Sequence, residues 1–246
     1  MSKTSINHPD RLFPVDPTVR RIASGLYASV RDLPIVSPHG HTDPAWFALD
    51  EQFPDAVDLL LKPDHYLLRM LYSQGIPMET LGLQPRVGES AASDSREIWR
   101  LFAANYHLFA GTPSRIWLDH VFNEVFGLVT LLEETTADEY FDHINECLTK
   151  PEFRPRALFD RFNIEVLATT ESPLDSLEHH KTIRDSDWSG RVITAYRPDP
   201  VVDPEFENFA ANVARFGEMT GEDVSGYFGY LAAHRAQRLV FRSMGA

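Results

Sequence analysis

Three short apolar runs interrupt an otherwise helical chain and limit the folds that it can adopt. They are residues 33–38 (LPIVSP), 164–170 (IEVLATT) and 191–200 (RVITAYRPDP). Each is short, apolar and bounded by turn residues, which is typical of a buried strand. A helical segment separates the second run from the third, and such alternation predicts βαβ units with a parallel sheet.

The remaining chain shows apolar residues at helical spacing. Residues 15–31 form one such stripe, and several more follow between the first and second apolar runs. The pattern therefore divides the chain into an N-terminal helix with the first strand (1–43), a helical insertion (44–155) and further βα units (156–246).

The length of the chain restricts the number of these units. A (β/α)₈ barrel takes roughly 250 residues, and the helical insertion alone uses a large part of this 246-residue chain. What is left accommodates three or four βα units at about 30 residues each. The fold class is α/β, as either a small open sheet or the front part of a longer protein.

Composition excludes several classes of partner. The chain has 36 acidic and 23 basic residues and a formal net charge of −13. Such a surface repels phosphate backbones and anionic lipids, so we expect neither nucleic acid nor membrane as a partner. A small acidic substrate is still compatible with this charge if arginines bind it locally. The single cysteine, Cys147, and the lack of a secretory signal favour the cytoplasm.

The first apolar run leads directly into a His-Gly-His motif at residues 39–41. Residues two apart on a strand point to the same face, and the carboxyl end of a parallel strand is the usual place for an active site. His39 and His41 can therefore bind one metal ion, while Gly40 allows close backbone approach. The alternative is a pair of hydrogen-bonded loop histidines. Asp43, just before Pro44, is expected to be a turn residue.

The second strand also ends in polar residues. We expect Thr169, Thr170 and Glu171 to make supporting hydrogen bonds and to cap a helix. That helix is predicted to begin after Ser172 as its N-cap, with Pro173 in the first helical position.

The other histidines and two tryptophans have simpler interpretations. On a helix that starts at Pro173, His179 and His180 are expected on the solvated surface. We expect packing or helix-face roles for His107, His143 and His234, and core positions for Trp46 and Trp117.

Several phrases resemble a known family. SPHGHTDP (37–44) looks like the His-x-His signature of the amidohydrolase superfamily. Four further phrases are similar, in order along the chain, to segments of uronate isomerase (glucuronate isomerase). They are KPDHYLLRMLYSQGI (62–76), GTPSRIWLDHVFNEVFGL (111–128), VLATTESPLDSLEHH (166–180) and VITAYRPDP (192–200).

The resemblance implies a (β/α)₈ TIM-type barrel with a large helical insertion after the first strand, of which this chain is the N-terminal half. It also implies a homo-oligomer that interconverts hexuronates: D-glucuronate with D-fructuronate, and D-galacturonate with D-tagaturonate. In this reaction a proton leaves C2 and arrives at C1 through an enediol.

The resemblance also implies roles for individual residues. His39 and His41 would hold a divalent metal, with zinc the expected ion. His65 and Tyr66 would serve catalysis, and Tyr66 could relay the proton if a nearby cation favours its ionised form. The alternative for this pair is a helix-start histidine and a packed tyrosine.

Two arginines are the expected substrate contacts. Arg197 ends the third strand, and its guanidinium matches a carboxylate bidentately; the alternative is a structural pair with Asp199. Arg69 is either a second substrate contact or a surface ion-pair partner.

Two other functions are compatible with the motif. A metal-dependent amidohydrolase would use the histidine pair to activate water, but it typically needs further strand-end histidines and often a carboxylated lysine. The second alternative is a catalytically incomplete fragment of the isomerase, whose unpaired strand edge and apolar face would be adhesive.

Overall fold

The computed structural model describes residues 7–83 and 94–246 of the chain. The chain forms two compact units, each made of two segments. Unit 1 comprises Met1–Arg31 and Gln52–Arg154, and unit 2 comprises Asp32–Glu51 and Pro155–Ala246. Each unit is described by itself below.

The described residues contain helices throughout and strands in unit 2. The strands are β1 (Ile35–Ser37), β2 (Ile164–Glu171) and β3 (Val192–Tyr196). The helices are α1 (Pro17–Ala28), α2 (Pro44–Leu49), α3 (Ala56–Leu60), α4 (His65–Ser73), α5 (Ser95–Ala104), α6 (Pro113–His120), α7 (Ala137–Leu148), α8 (Pro155–Arg161), α9 (Glu178–Arg184), α10 (Asp199–Val202), α11 (Phe209–Thr220) and α12 (Tyr227–Ser243).

Aspartates begin many of these helices. The side chains of Asp16, Asp55, Asp64 and Asp94 accept hydrogen bonds from backbone N–H groups in the first turns of α1, α3, α4 and α5. These N–H groups have no partner within the helix, and a carboxylate also interacts favourably with the helix dipole. The short polar segments between the apolar stripes therefore determine where the helices of unit 1 start.

An aromatic core holds unit 1 together. Seven large side chains from α5, α7 and the short segments before and after α6 are 8% exposed or less: Trp99, Phe102, Tyr106, Phe109, Phe122, Tyr140 and Phe141. Neighbouring rings pack in tilted or edge-to-face geometry, for example Phe122 and Tyr140 with centroids 5.2 Å apart. Each buried aromatic ring removes a large apolar area from water, so this cluster supplies much of the stability of unit 1.

Unit 2 is built on a parallel sheet with the strand order β1-β2-β3. Val36 pairs with Val166 on one side of β2, and Thr169 pairs with Thr194 on the other. The three predicted strands and their parallel arrangement are confirmed, and the fold is of the mixed α/β type. All three strands run in one direction, so their carboxyl ends lie at the same edge of the sheet.

Helices cover one face of this sheet. Phe47 and Phe159 from α2 and α8 pack with Leu167, Ile183 and Val192 in one buried cluster. Near the carboxyl end of β3, Phe241 of α12 packs against Tyr196 with ring centroids 5.0 Å apart. By contrast, Ile35 and Val36 of β1 are 48% and 58% exposed. Unit 2 therefore presents apolar strand surface to solvent at β1.

The helix after β2 starts later than predicted. Ser172 does not cap a helix; its hydroxyl accepts from the N–H of Leu174, and Asp175 accepts from the N–H of Leu177. Residues 172–177 thus form consecutive turns, and α9 begins at Glu178. The prediction of a cap at Ser172 is wrong because these short polar side chains bond to the backbone locally.

Across the described parts of the chain, none of the helices has both the length and the apolar character that crossing a bilayer requires.

Candidate functional site

The His-Gly-His motif lies in the loop between β1 and α2. β1 ends at Ser37, and α2 begins at Pro44 with Asp43 as its N-cap, whose Oδ1 accepts from the N–H of Ala45 at 2.8 Å. Asp43 is therefore a capping residue, in agreement with its predicted role in the turn. The two histidines follow the strand rather than lie within it.

The imidazole rings of His39 and His41 converge. Their Nε2 atoms are 3.3 Å apart, the ring centroids are 5.0 Å apart and the planes are inclined by 80°. Zinc binds imidazole nitrogen at about 2.0–2.1 Å, which separates two nitrogens of a tetrahedral site by about 3.3 Å. The geometry fits two ligands of one metal ion, and the same separation is also compatible with an N–H···N hydrogen bond.

Gly40 lets this loop approach β2 closely. A Cβ at position 40 would lie 3.1 Å from the carbonyl oxygen of Ala168. The hydroxyl of Thr170 donates to the carbonyl of Gly40 at 3.1 Å, which ties the loop to the end of β2. The predicted supporting hydrogen bond from Thr170 is therefore present, and it holds the loop that carries both histidines.

Arg197 directly follows β3, at the same edge of the sheet. Its backbone N–H donates to the carbonyl of Glu171 at 3.0 Å, and its Nε donates to Asp199 Oδ2 at 2.6 Å. The pair with Asp199 is present, and the Arg197 side chain is 55% exposed. In the described part of the chain, the terminal Nη atoms have no further hydrogen-bond partner, so that edge of the guanidinium is available to a ligand.

The other predicted site residues lie in unit 1. Asp64 caps α4, so His65 and Tyr66 occupy its first turn, with ring centroids 4.2 Å apart. Tyr66 is 64% exposed, and its interpretation as a packed tyrosine is wrong. Arg69 lies one turn later and is also exposed. Among the residues that the structure describes, no carboxylate pairs with Arg69, so the ion-pair interpretation is not supported.

Comparison with known proteins gives the family. The glucuronate isomerase family model matches residues 18–246. The chain belongs to the glucuronate isomerase family.

Individual relatives agree with this assignment. Uronate isomerases of Phenylobacterium zucineum and Rhizorhabdus wittichii are 63% and 65% identical to it over 239 residues, 97% of this chain and 50% of each relative. The crystal structure of glucuronate isomerase from Caulobacter crescentus superposes with a TM-score of 0.94 at 56% identity, covering 99% of this chain and 51% of that one. Uronate isomerase of Thermotoga maritima superposes with a TM-score of 0.85 at 26% identity, covering 97% and 49%.

This member of the glucuronate isomerase family therefore spans about half the length of the relatives that it matches. Isomerase proteins are its relatives along nearly the whole of its length. The resemblance to uronate isomerase that the sequence phrases indicated is confirmed.

One buried polar cluster lies beneath the candidate site of this family member. Thr169, Glu171, His180 and Thr194 are 0%, 6%, 2% and 1% exposed. The prediction that His180 lies on the solvated surface is wrong. Because α9 begins at Glu178 rather than near Pro173, His180 falls in the first turn and faces the sheet.

The predicted hydrogen bonds of Thr169 and Glu171 are present, but their predicted capping role is wrong. Neither side chain caps α9, which has no side-chain cap. Instead, the Oγ1 of Thr169 lies 2.9 Å from His180 Nε2, and the carboxylate of Glu171 accepts from the hydroxyl of Thr194. Polar residues at alternate positions of an apolar strand, here 169 and 171, are the signal that could have indicated this buried cluster.

Burial changes the protonation of groups in unit 2. Burial lowers the pKa of His180, and the nearby carboxylate of Glu171 opposes that shift. Burial raises the pKa of Tyr196 to about 12, so its hydroxyl stays protonated and pairs with His234 Nδ1 at 2.8 Å. The neutral imidazole form of His180 is therefore favoured inside the protein.

The remaining predictions have mixed outcomes. His143 packs with its Nε2 2.7 Å from the carbonyl oxygen of Phe126, and His234 is buried against α11 and β3, as predicted. Trp46 is half-buried. Trp117 is 45% exposed, so its predicted core position is wrong.

Proposed function

We propose that this chain carries the residues of a hexuronate isomerase that bind the metal ion and the substrate carboxylate, at the carboxyl edge of its sheet. The enzyme interconverts D-glucuronate with D-fructuronate and D-galacturonate with D-tagaturonate. The observation that supports the proposal most strongly is the convergence of His39 and His41 at 3.3 Å, after β1, at the sheet edge where β3 leads into Arg197. The names of the relatives support the same reaction class.

The reaction needs four things from the protein. The open-chain sugar must be bound, its C1 carbonyl polarised, its C2 proton removed and its C6 carboxylate anchored. The C2 proton leaves to a base and a proton is returned to C1, while the proton of the C2 hydroxyl is lost and the C1 oxygen gains one. No oxidant or reductant is consumed, because the aldehyde is reduced as the C2 alcohol is oxidised.

His39 and His41 would hold a divalent metal ion, with zinc as our proposal. When bound, such an ion polarises substrate oxygens as a Lewis acid. Across residues 7–83 and 94–246, no third His, Cys, Asp or Glu joins this pair in a metal-binding group. The pair therefore contributes two ligands, and Gly40 with the Thr170 bond keeps the loop against β2 so that both rings face the same point.

Arg197 would anchor the substrate carboxylate. The Nε of Arg197 donates to Asp199 at 2.6 Å, and within the described chain its two Nη atoms have no hydrogen-bond partner. Two parallel N–H···O bonds from this fork fix both the position and the orientation of a carboxylate. Arg69 is the second proposed contact, since its charge is exposed and unpaired within the described chain.

His65 and Tyr66 are the proposed catalytic pair. Tyr66 would relay the proton from C2 to C1 through its phenolate oxygen, which requires a nearby cation that favours the ionised form, and His65 is its proposed partner in this step. The 4.2 Å separation of their ring centroids supports cooperation between the two rings. The exposure of Tyr66, at 64%, leaves its hydroxyl accessible to a sugar.

We also propose that the three strands are part of a (β/α)₈ barrel in a cytoplasmic homo-oligomer. Parallel order β1-β2-β3 with helices on one face supports the barrel, because consecutive βα units close in this way. The exposed apolar residues of β1 support it as well, since such a surface is normally covered.

Turnover tests the function directly. The chain is loaded with Zn²⁺, incubated with D-glucuronate in D₂O and followed by proton NMR. We expect D-fructuronate that carries solvent deuterium at C1, because a proton held on the exposed Tyr66 can exchange with solvent before it is returned. His39→Ala and Arg197→Lys should each reduce the rate at least about tenfold.

The same assay separates the alternatives. Zinc binding without turnover would favour the catalytically incomplete fragment, whereas product without deuterium at C1 would argue against proton transfer through the exposed Tyr66. Hydrolysis of amide or ester substrates would instead support the amidohydrolase.

A further inference from the structure

Glu171 holds the end of β3 at two points. Its backbone carbonyl accepts the N–H of Arg197 at 3.0 Å. Its carboxylate accepts a hydrogen bond from the hydroxyl of Thr194, which lies on β3 three residues before Arg197. The Cα partner of Glu171 is Tyr196, and that of Thr169 is Thr194, so the carboxylate reaches diagonally across the ladder. Both bonds lie on the segment that leads into Arg197.

A second pair of bonds fixes the same strands to α9. The hydroxyl of Thr169 donates to the carbonyl of Ile193 at 3.2 Å, so its oxygen accepts from His180 Nε2–H at 2.9 Å. The same Nε2 lies 3.7 Å from Glu171 Oε2. His180 Nδ1 has no partner in the described chain. Because the Thr169 hydroxyl already donates its hydrogen to Ile193, it can only accept from His180, and the imidazole proton must therefore be on Nε2.

The carboxylate of Glu171 is buried, which is unusual for a side chain with a purely structural role. Glu171 is 6% exposed, yet its side chain has one hydroxyl donor and one imidazole nearby. Removing a carboxylate from water is unfavourable, and apolar residues of similar volume often serve a purely structural position as well or better. A charge-assisted hydrogen bond is shorter and stronger than a neutral one, which suits a position where geometry must be held closely.

We propose that Glu171 is a positioning residue, which holds Arg197 at the carboxyl end of β3 by accepting the Thr194 hydroxyl, so that the Arg197 fork meets the substrate carboxylate. This inference rests on the proposed role of Arg197 in binding a hexuronate. Glu171 does not touch the substrate; it acts through the backbone of residues 194–197.

Three variants test how much the hydrogen bond between Thr194 and Glu171 contributes to the position of Arg197. Thr194→Val removes the donor, Glu171→Gln keeps an accepting oxygen without the charge, and Thr194→Ser keeps the hydroxyl. Thr182→Val is the matched control, because it removes an exposed hydroxyl that bonds to Glu178 on α9. We expect the effect to decrease from Thr194→Val to Glu171→Gln, and to be absent in Thr194→Ser and Thr182→Val.

The first measurement needs no substrate. Hydrogen exchange of the Arg197 backbone amide, followed by NMR on the intact chain, reports how firmly the end of β3 is held. We expect exchange to become about tenfold faster in Thr194→Val and about threefold faster in Glu171→Gln. Unchanged exchange in both variants would overturn the proposal. If one variant does not fold, the other decides.

The second measurement asks whether positioning serves recognition of the carboxylate. The zinc-loaded chain is titrated with D-glucuronate and with uncharged D-glucose, and the ratio of the two dissociation constants is compared. Thr194→Val should reduce the preference for glucuronate about tenfold while zinc affinity stays unchanged. A merely structural loosening would weaken both sugars equally, and a preference that persists in Thr194→Val would overturn the proposal.

The two measurements separate this inference from the proposed function. If the unaltered chain shows no preference for glucuronate, the assignment of Arg197 as an anchor fails. The exchange of the Arg197 amide then still decides whether Glu171 positions that residue. Faster exchange in Thr194→Val would support the positioning role, and unchanged exchange would reject it.

Discussion

Unit 1 and unit 2 bury different kinds of side chain. The interior of unit 1 is an aromatic cluster around Trp99 and Phe122, each with no exposed surface. Unit 2 places Glu171, His180 and Thr194 inside, between the sheet and its helices, and leaves Val36 exposed. An apolar core is stabilised in proportion to the apolar surface that it removes from water, whereas a buried polar cluster is stable only if each of its polar groups is hydrogen-bonded.

The comparison teaches that the interiors of the two units are held together by different interactions. Unit 1 can tolerate changes of polar surface, since its surface charges pair in solvent, as Arg100 does with Asp138 at 2.9 Å. The polar residues of unit 2 are placed where parallel strands end. Their hydrogen bonds hold the segments that carry His39, His41 and Arg197.

The largest effect is expected in the aromatic core. Trp99→Ala should lower the free energy of unfolding by about 3–5 kcal/mol, because it removes a fully buried ring and leaves a cavity. Urea denaturation measures the change. Trp117→Ala is the control: that ring is 45% exposed, and we expect a loss of less than about 1 kcal/mol. Equal losses would contradict the view that burial decides the difference.

A smaller effect is expected in the polar cluster. Thr194→Val should lower the stability of unit 2 by about 1–3 kcal/mol, since it leaves the buried carboxylate of Glu171 without its hydroxyl donor. Thr182→Val, at an exposed position of α9, should change the same quantity by less than about 0.5 kcal/mol. A neutral Thr194→Val would show that the cluster adds nothing to stability.

The third effect depends on pH. Burial lowers the pKa of His180 in the folded protein, whereas in the unfolded chain this histidine has a pKa near its ordinary value of 6.5. The unfolded state therefore binds more protons below that pH, and stability falls as the solution is acidified. Glu171 and Asp175 reduce the shift and His179 adds to it.

His180→Gln tests this dependence. The variant should have a lower free energy of unfolding than the unaltered chain at pH 8, and this difference should narrow towards pH 5. Urea denaturation at several pH values measures it, and His179→Gln, on the same helix and more exposed, serves as the comparison. A gap that widens on acidification would mean that His180 is protonated inside the protein.

The smallest effect concerns the exposed strand. Val36→Thr should change the free energy of unfolding by less than about 0.5 kcal/mol, because Val36 is 58% exposed. Val192→Thr places a hydroxyl at a buried position of the same sheet and should cost about 1–3 kcal/mol. Similar values for both substitutions would mean that the surface of β1 is covered in solution.

The sequence by itself determined the elements and their order. Short apolar runs with β-branched residues predicted β1, β2 and β3, and alternation with helices predicted their parallel arrangement, because both signals are local. The His-Gly-His motif could be recognised as a candidate site for the same reason. Phrases along the chain were sufficient to indicate the family that the comparisons confirm.

The tertiary structure alone decided which side chains meet. The turn at residues 172–177 moved the start of α9 and so buried His180, which no helical pattern could indicate. The loop that approaches β2 at Gly40 also places the Nε2 atoms of His39 and His41 3.3 Å apart, although neither residue lies in the strand. The approach of Gly40 to β2 joins residues more than a hundred positions apart, and local propensity carries no information about such a contact.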